Sequence, residues 1–533
     1  MSDRGGHPGA VTTGDGPFTG TAPLLRLALR RDRLKLPLWT ILIAVFVPYF
    51  YGVLGMTMGE DPQQAVDEMA SAQAMLDVFS GPMYGLDAVT QERYFLLYTQ
   101  EFLLAAALMN MLLVVRHTRG EEQTGRAGLL CAGAVGRHAP LTAALLTAVV
   151  TNAVLGVLLA LGAVSINFGL GSALLFASGI CLTGLVFGAV TAVLAQLVEN
   201  GRTAAGLVGV VLAVASIVRG TGAAGGSDAV LWLSPLAWAP LTRTLVDERW
   251  WPLVIPVLLS AGLVVAAYAL SVRRDVGAGL VPPRLGRARA AAWLRSPLAL
   301  AWRLQRSAIG WWGLSLGLLG LVWGSLAGGM QPGMADDLLG GDVVDGYVSL
   351  IGVTQVFIVG VMGLQLMGRL RAEEASRRHL PALAGTTSRA AWLGSWLTVT
   401  CGGVVLVTAL AAAGTALGAV GSVGDPALAG AAFGAMIARL PELLLLVGVA
   451  ALLYGLAPRW QGLAWVVLGF GMVARFFGPS LAWPDGVLAL SVFQHIPRMP
   501  VEPFDAVPLV VLTVLAAAVA GAGVLAFRRR DVS

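Results

Sequence analysis

The chain has 533 residues, of which 57% are hydrophobic and 12% charged, and its mean hydropathy is +0.77. Soluble globular proteins carry about 25% charged residues, so the composition excludes a soluble fold and indicates an integral membrane protein. The single lysine, Lys35, lies outside any G-x-x-x-x-G-K-[ST] loop, which excludes a nucleotide site of that kind in this chain.

Apolar windows of about 20 residues, the length that crosses a ~30 Å hydrocarbon core, predict an all-α membrane protein with about twelve transmembrane helices. In chain order these windows are 36–55, 94–115, 141–164, 172–197, 204–219, 251–272, 310–329, 347–367, 392–418, 436–457, 462–477 and 508–527. Residues 1–22 precede the first window and are predicted to be a disordered cytoplasmic tail.

Several segments outside the windows are neither free loops nor full spans. Residues 24–35 place arginines on one helical stripe, which predicts an in-plane amphipathic helix before the first span, and 298–308 corresponds to it before the seventh. The apolar, Pro-rich connections 220–250 and 478–507 predict short re-entrant or interfacial helices.

The chain is predicted to be a duplication. The run R-G-E-E-Q-T-G-R follows the second span, and R-A-E-E-A-S-R-R follows the eighth at an offset of 252 residues. The matched residues are Arg119 and Arg371, Glu121 and Glu373, Glu122 and Glu374, Arg126 and Arg378, and Arg137 and Arg389. The run Arg-Asp-Val closes both halves, at 274–276 and 530–532. We therefore predict two parallel six-helix repeats, 23–276 and 298–533, joined by a cytoplasmic linker 277–297.

The arginines also predict the orientation. With both termini in the cytoplasm, 28 Arg and Lys residues fall in cytoplasmic segments and 6 in outer ones, as the positive-inside rule requires. The basic excess is thus explained by topology in a bacterial cell membrane, and it needs no nucleic acid.

The repeated Arg-x-Glu-Glu segments are the strongest candidate functional site. Acidic residues are favoured in the first turn of a helix, so we expect a short surface helix at 119–137 and another at 371–389. The positive-inside rule explains the arginines but not the Glu-Glu pair. Because the Glu-Glu pair recurs in both halves, it predicts a paired docking element for a two-fold symmetric cytoplasmic partner.

Two acidic residues within the predicted spans are secondary candidates. Glu101, about seven residues into the second span, is a candidate for the translocation path, because an ionisable residue at that depth faces a cavity or a partner. Arg439 and Glu442 near the outer interface are explained by mutual pairing. The five histidines show no metal-ligand spacing, so neither a metal site nor a catalytic residue is predicted.

The sequence resembles the ABC-2 type permeases of actinobacterial exporters, especially the twelve-span polyketide-antibiotic and tetronasin-resistance permeases. The resemblance rests on Arg-x-Glu-Glu-x-x-x-Arg after spans two and eight, on L-S-P-L-x-W and W-W-P within 233–252, and on Arg-Asp-Val after spans six and twelve. It implies an export permease for a hydrophobic or amphipathic compound.

That family resemblance further implies coupling helices that dock on two copies of a separately encoded ABC ATPase, which binds the ATP and Mg. No cofactor is expected on this chain. The second half departs from the pattern where Gly125 is replaced by Arg377 and Leu129 by Pro381, so its coupling helix is expected to be shorter or bent.

Two other functions are compatible with twelve spans. An ion-coupled secondary transporter suits two parallel halves, but the predicted spans hold little embedded charge to carry protons or sodium beyond Glu101 and Glu442. A polyprenyl-linked glycosyltransferase would use acidic pairs such as 60–61 and 336–337, which are more simply outer loop charges.

Overall fold

The computed structural model describes residues 16–57, 81–82, 84–85, 89–125, 128, 135–275, 277–282, 289–329, 342–478 and 483–530. Within these ranges every regular element is helical, and eleven helices are long and apolar enough to cross a membrane. The predicted all-α, multi-pass fold is confirmed. Contacts divide the chain into two compact units, Met1–Gly286 and Arg287–Ser533, while the boundaries of the proposed repeats stay a prediction.

The first unit is built around its most deeply buried helix. Its helices are α1 (Thr21–Arg31), α2 (Lys35–Thr57), α3 (Gln91–Gln123), α4 (Ala139–Ser165), α5 (Leu170–Leu197), α6 (Gly201–Ala224), α7 (Asp228–Trp232) and α8 (Trp251–Ser271). Helix α5 packs against α3, α4 and α8. Helix α3 is continuous, but it widens into a π turn at Arg116–Gly120, which leads into the Glu-Glu pair.

The second unit has the same kinds of element. Its helices are α9 (Pro297–Ser325), α10 (Val343–Ala375), α11 (Leu380–Leu383), α12 (Arg389–Val423), α13 (Ala427–Ile437), α14 (Leu440–Leu456), α15 (Leu463–Phe476), α16 (Asp485–Leu488) and α17 (Ala506–Arg529). Helix α15 corresponds to the predicted eleventh span. With 14 residues it measures about 21 Å at 1.5 Å per residue, so by itself it is too short to cross a ~30 Å core.

The amphipathic helix before the first span has no separate counterpart in the second unit. Helix α1 ends at Arg31, and three residues separate it from α2, whereas 298–308 forms the first turns of the continuous helix α9. The prediction of a separate helix at 298–308 is therefore wrong. Pro37 corresponds to Gly310 in the sequence match. Because proline lacks an N–H and clashes with the preceding turn, a new helix begins just before Pro37, while Gly310 lets α9 continue.

Small residues bring the helices of the second unit into close contact. Helices α9 and α12 meet along Gly317 and Gly324 on one side and Gly414 and Gly418 on the other. A Cβ atom at Gly414 would overlap the carbonyl oxygen of Gly317, so the backbones touch directly. This is the packing expected inside a bilayer, where van der Waals contact rather than the hydrophobic effect joins helices.

Candidate functional site

The Arg-x-Glu-Glu motif lies at the C-terminal end of a long helix in both units. Glu121 and Glu122 are in the last turn of α3, and Glu373 and Glu374 are in the last turn of α10. In the second unit Glu373 and Glu374 end a long helix instead of beginning a short one, and the short helix predicted within 371–389 lies at Leu380–Leu383. In the first unit most of 126–134 lies outside the described residues, so the short helix predicted there stays a prediction. A negative charge at a helix C-terminus is unfavourable with respect to the helix dipole, so each acid needs a cationic neighbour.

In the first unit Glu122 is bound by two arginines. Arg274, which follows α8, donates from Nη2 to Oε1 at 2.6 Å and from Nη1 to Oε2 at 3.1 Å. Arg119 donates from Nη1 to Oε2 at 2.5 Å. Arg119 is fully buried and also donates to the carbonyl oxygens of Ala195 and Ala278. The end of α3 is thus fixed to the ends of α5 and α8.

In the second unit Glu374 has the equivalent partner. Arg530, which follows α17, donates from Nη2 to both carboxylate oxygens of Glu374, at 2.6 and 2.7 Å. The hydroxyl of Tyr454 donates to Oε2 at 2.5 Å. The Arg530 guanidinium also lies 5.0 Å from the ring centroids of Tyr454 and Phe527. We call Glu122–Arg274 and Glu374–Arg530 the latch pairs.

A second arginine ties the same helix ends together in each unit. Arg137 donates to the carbonyl oxygens of Val272 and Arg274, at 2.5 and 3.2 Å. Arg389 donates to those of Arg528 and Arg530, at 3.4 and 2.6 Å. The acceptors differ by 256 residues and the donors by 252, so the two units repeat the whole contact.

The turn after each latch pair also recurs. Gly125 and Arg377 both adopt a left-handed backbone, with φ of 73° and 56°. Each N–H donates to the carbonyl of the second Glu, Gly125 to Glu122 at 3.0 Å and Arg377 to Glu374 at 2.9 Å. The replacement of glycine by Arg377 therefore leaves the shape of this turn unchanged. A short helix, α11, follows with Pro381 in its first turn, where proline is tolerated.

The remaining motif residues differ between the units. Glu121 is paired with Arg31 of α1, whereas Glu373 lies 3.6 Å from Arg378, whose side chain is 72% exposed. Arg371 is exposed on the surface of α10, unlike its buried match Arg119. Arg126 lies outside the described residues.

A second ion-pair cluster fixes α1 to the end of α3. The buried carboxylate of Asp32 forms ion pairs with Arg116 and His117, both at 2.7 Å. Its sequence match in the second unit is Gln305, which is buried and bonded to Thr400 at 3.2 Å. The first unit therefore carries an ionic connection that the second replaces with neutral groups.

The other predicted candidates lie apart from the latch pairs. Glu101 is exposed in the first turn of the segment Thr99–Val115 of α3 and interacts electrostatically with Arg219. Arg439 and Glu442 are both buried and pair at 3.5 Å, and Arg439 also donates to the carbonyl of Pro497. The acidic pairs 60–61 and 336–337 lie outside the described residues.

The latch arginines and the residues that support them were missed as site residues. A usable signal existed for four of them, because Arg137 and Arg389 repeat at the motif's own offset, and Arg274 and Arg530 open the repeated Arg-Asp-Val runs. Tyr454 and Asp32 have no such signal, since neither is repeated as the same residue type in the other half.

Two comparisons with known proteins bear on this site. A family model described as the C-terminal domain of the multidrug efflux system permease Rv1217c matches residues 23–270 and 294–528. The multidrug efflux system permease protein Rv1217c of Mycobacterium tuberculosis (strain ATCC 25618 / H37Rv) is 37% identical over 537 residues, which cover 97% of this chain and 96% of that protein. Both matches include the Arg-x-Glu-Glu segments of the two units.

Proposed function

Because this chain belongs to the family of multidrug efflux system permeases that includes Rv1217c, we propose that it is the membrane permease of an ATP-driven exporter. It moves hydrophobic or amphipathic compounds, such as antibiotics and other drugs, out of the cytoplasm or the inner leaflet. It lies in the bacterial cell membrane with both termini in the cytoplasm. It is a transport subunit and not an enzyme.

The energy source follows from the lysine count. Lys35 lies outside any phosphate-binding loop, so ATP and Mg are bound by a separate ABC ATPase. Two copies of that ATPase match the two Arg-x-Glu-Glu ends. The alternative energy source, an ion gradient, would require charged side chains within the membrane that bind the ion. Glu442 is a poor candidate for that role, because it is paired with Arg439.

The observation that carries the proposal is the repeated latch. Two charged hydrogen bonds join Glu122 at the end of α3 to Arg274 after α8. A displacement of the end of α3 by the ATPase would therefore be transmitted to the end of α8. The same holds for α10 and α17 through Glu374 and Arg530. Closure of the ATPase dimer thereby reaches both the second and the last span of each unit, and Glu101 remains a candidate for the path along which substrate moves.

The docking part of this proposal is tested with surface charges that leave the latch intact. The full chain carrying Arg371→Glu and Arg378→Glu is coexpressed with the proposed ABC ATPase partner. Loss of complementary charge at a docking contact costs more than about 1.4 kcal/mol, so we expect about tenfold less ATPase to copurify. Arg303→Glu, an exposed arginine elsewhere on the second unit, serves as the matched control.

Both variants must insert and purify as the unaltered chain does. The docking assignment fails if Arg371→Glu/Arg378→Glu retains normal ATPase binding and normal stimulation of ATP hydrolysis. It also fails if Arg303→Glu weakens binding to the same extent, because the effect would then be one of general surface charge.

A further inference from the structure

The first unit contains a cavity beside its latch pair. The cavity has a volume of about 400 Å³ and lies between α1, the end of α3, the start of α4 and the end of α8. This volume is within the range of about 300–1,000 Å³ found for small-molecule sites. The proposed function assigns no role to it.

The cavity has one apolar wall and one charged wall. The apolar wall is formed by α1 and α4, with the side chains Leu24, Leu27, Ala28, Leu141 and Ala144. The charged wall contains Arg31, Arg137 and Arg274 together with Glu121, Glu122 and Asp275, so it has as many carboxylates as guanidiniums. A site with these two walls fits a molecule that has an apolar tail and a polar head.

The charged wall is balanced overall, and Arg137 is the residue in it that can bind an anionic head. Glu121 and Glu122 are each engaged by a guanidinium, from Arg31 and Arg274. Among the described residues, the hydrogen bonds of Arg137 go to backbone carbonyls, which carry no net charge. None of these hydrogen bonds is to a carboxylate. A carboxylate or phosphate group of a ligand in the cavity could therefore form a charged hydrogen bond with Arg137.

The position of α1 points to the same class of ligand. Arg26 and Arg30 are exposed on α1, while Leu24 and Leu27 face the cavity. A helix with one basic and one apolar face lies in the interface plane of a membrane and attracts anionic lipids. The cavity then opens at the level where the heads of membrane amphiphiles lie.

We propose that this cavity binds an anionic amphiphile, with its carboxylate or phosphate on Arg137 and its tail between α1 and α4. The bound head would also lie next to Glu121 and Glu122, at the end of α3. The proposal concerns binding, and it does not depend on ATPase coupling.

The test uses photoreactive dodecyl phosphate on the full chain in phosphatidylcholine nanodiscs. We expect crosslinks on α1 and α4, mapped by mass spectrometry, that unlabelled dodecyl phosphate removes by competition. Photoreactive dodecanol, which lacks the charge, should label these helices about tenfold less, since a charged hydrogen bond contributes at least that factor.

The chain provides a matched control for the arginine. Arg137→Gln should reduce crosslinking about tenfold, whereas Arg389→Gln, which loses the same kind of carbonyl contacts in the second unit, should leave it unchanged. Leu27→Trp enlarges a side chain of the apolar wall and should also reduce crosslinking. Leu25→Trp, on the same helix but outside the cavity lining, should not.

Adding phosphatidylglycerol to the nanodiscs identifies the source of the anion. If it competes with the probe, the ligand is a lipid headgroup; if only free dodecyl phosphate competes, the ligand is a free amphiphile, and either result supports the proposal. Equal crosslinking by dodecanol, undiminished crosslinking of Arg137→Gln, or crosslinks confined to other helices would each overturn it.

Discussion

Glu122 and Glu374 each contact an arginine that lies far along the chain, 152 and 156 residues away. The side chains of these latch pairs are between 9% and 15% exposed, so the charges are largely removed from water. Loss of one partner from such a pair leaves an uncompensated buried charge, which is strongly destabilising.

The latch predicts a charge-swap rescue. Glu374→Arg and Arg530→Glu should each lower the stability of the purified chain by about 2–5 kcal/mol. The double variant Glu374→Arg/Arg530→Glu should recover most of that loss, because opposite charges meet again. Thermal unfolding of the full chain in detergent measures all three.

Glu373→Arg is the matched control for this prediction. Its partner Arg378 is 72% exposed and lies 3.6 Å away. Ion pairs open to solvent in this way contribute about 0–1 kcal/mol, so the unfolding temperature should barely change. A double swap no more stable than its single variants would show that the latch pairs do not hold the helix ends together.

Sequence reasoning identified the repeated glutamates but not what they contact. A repeat shows which positions are equivalent, and it cannot show that the end of α3 meets the end of α8, because that contact depends on tertiary packing. For the same reason the motif predicts equivalent roles for Arg119 and Arg371. Arg119 is buried against the carbonyls of Ala195 and Ala278, whereas Arg371 is exposed.

At the scale of helices, hydropathy predicted the spans well and their ends poorly. Span lengths follow from the thickness of the hydrocarbon core, which a window of apolar residues records directly. The charged last turns of α3 and α10 lie outside such windows, yet they continue the helices, because Arg274 and Arg530 compensate the acids there.

The glycine contact between α9 and α12 gives a prediction at this scale. Gly414→Val places a side chain against the backbone of α9 at Gly317, so the two helices must separate, at a cost of about 1–3 kcal/mol. Gly402→Val lies on the same helix with nothing within 4 Å of the added Cβ. We expect Gly414→Val to lower the unfolding temperature and Gly402→Val to leave it unchanged. Equal decreases for both variants would mean that helix propensity, and not the contact between the helices, is responsible.

At the scale of the whole molecule, the distribution of arginines predicts the topology. Single cysteines at the exposed positions Gln123 and Ser376 should resist an impermeant maleimide in intact cells, in a chain whose natural cysteines are replaced. Cysteines at Asp247 and Glu502, in outer segments by the 28-to-6 asymmetry, should react. The reverse pattern would invert the topology and remove the latch pairs from the cytoplasm.

An efflux permease could be predicted from the motifs and the topology together, while the ABC-2 type and the tetronasin subfamily stay predictions. The substrate could not be predicted, because apolar spans are common to every membrane transporter. Coupling to an ATPase is the part of the account that stays a proposal, and the repeated latch pairs are the observation that supports it.

The most direct test is uptake of a fluorescent hydrophobic drug into inside-out vesicles that contain this chain. We predict uptake only when the ABC ATPase is present with ATP and Mg, and no uptake when the phosphate-loop lysine of that ATPase is replaced. A protonophore should leave the rate unchanged. Uptake by this chain alone, driven by a proton or sodium gradient and abolished by the protonophore or sodium removal, would contradict the account.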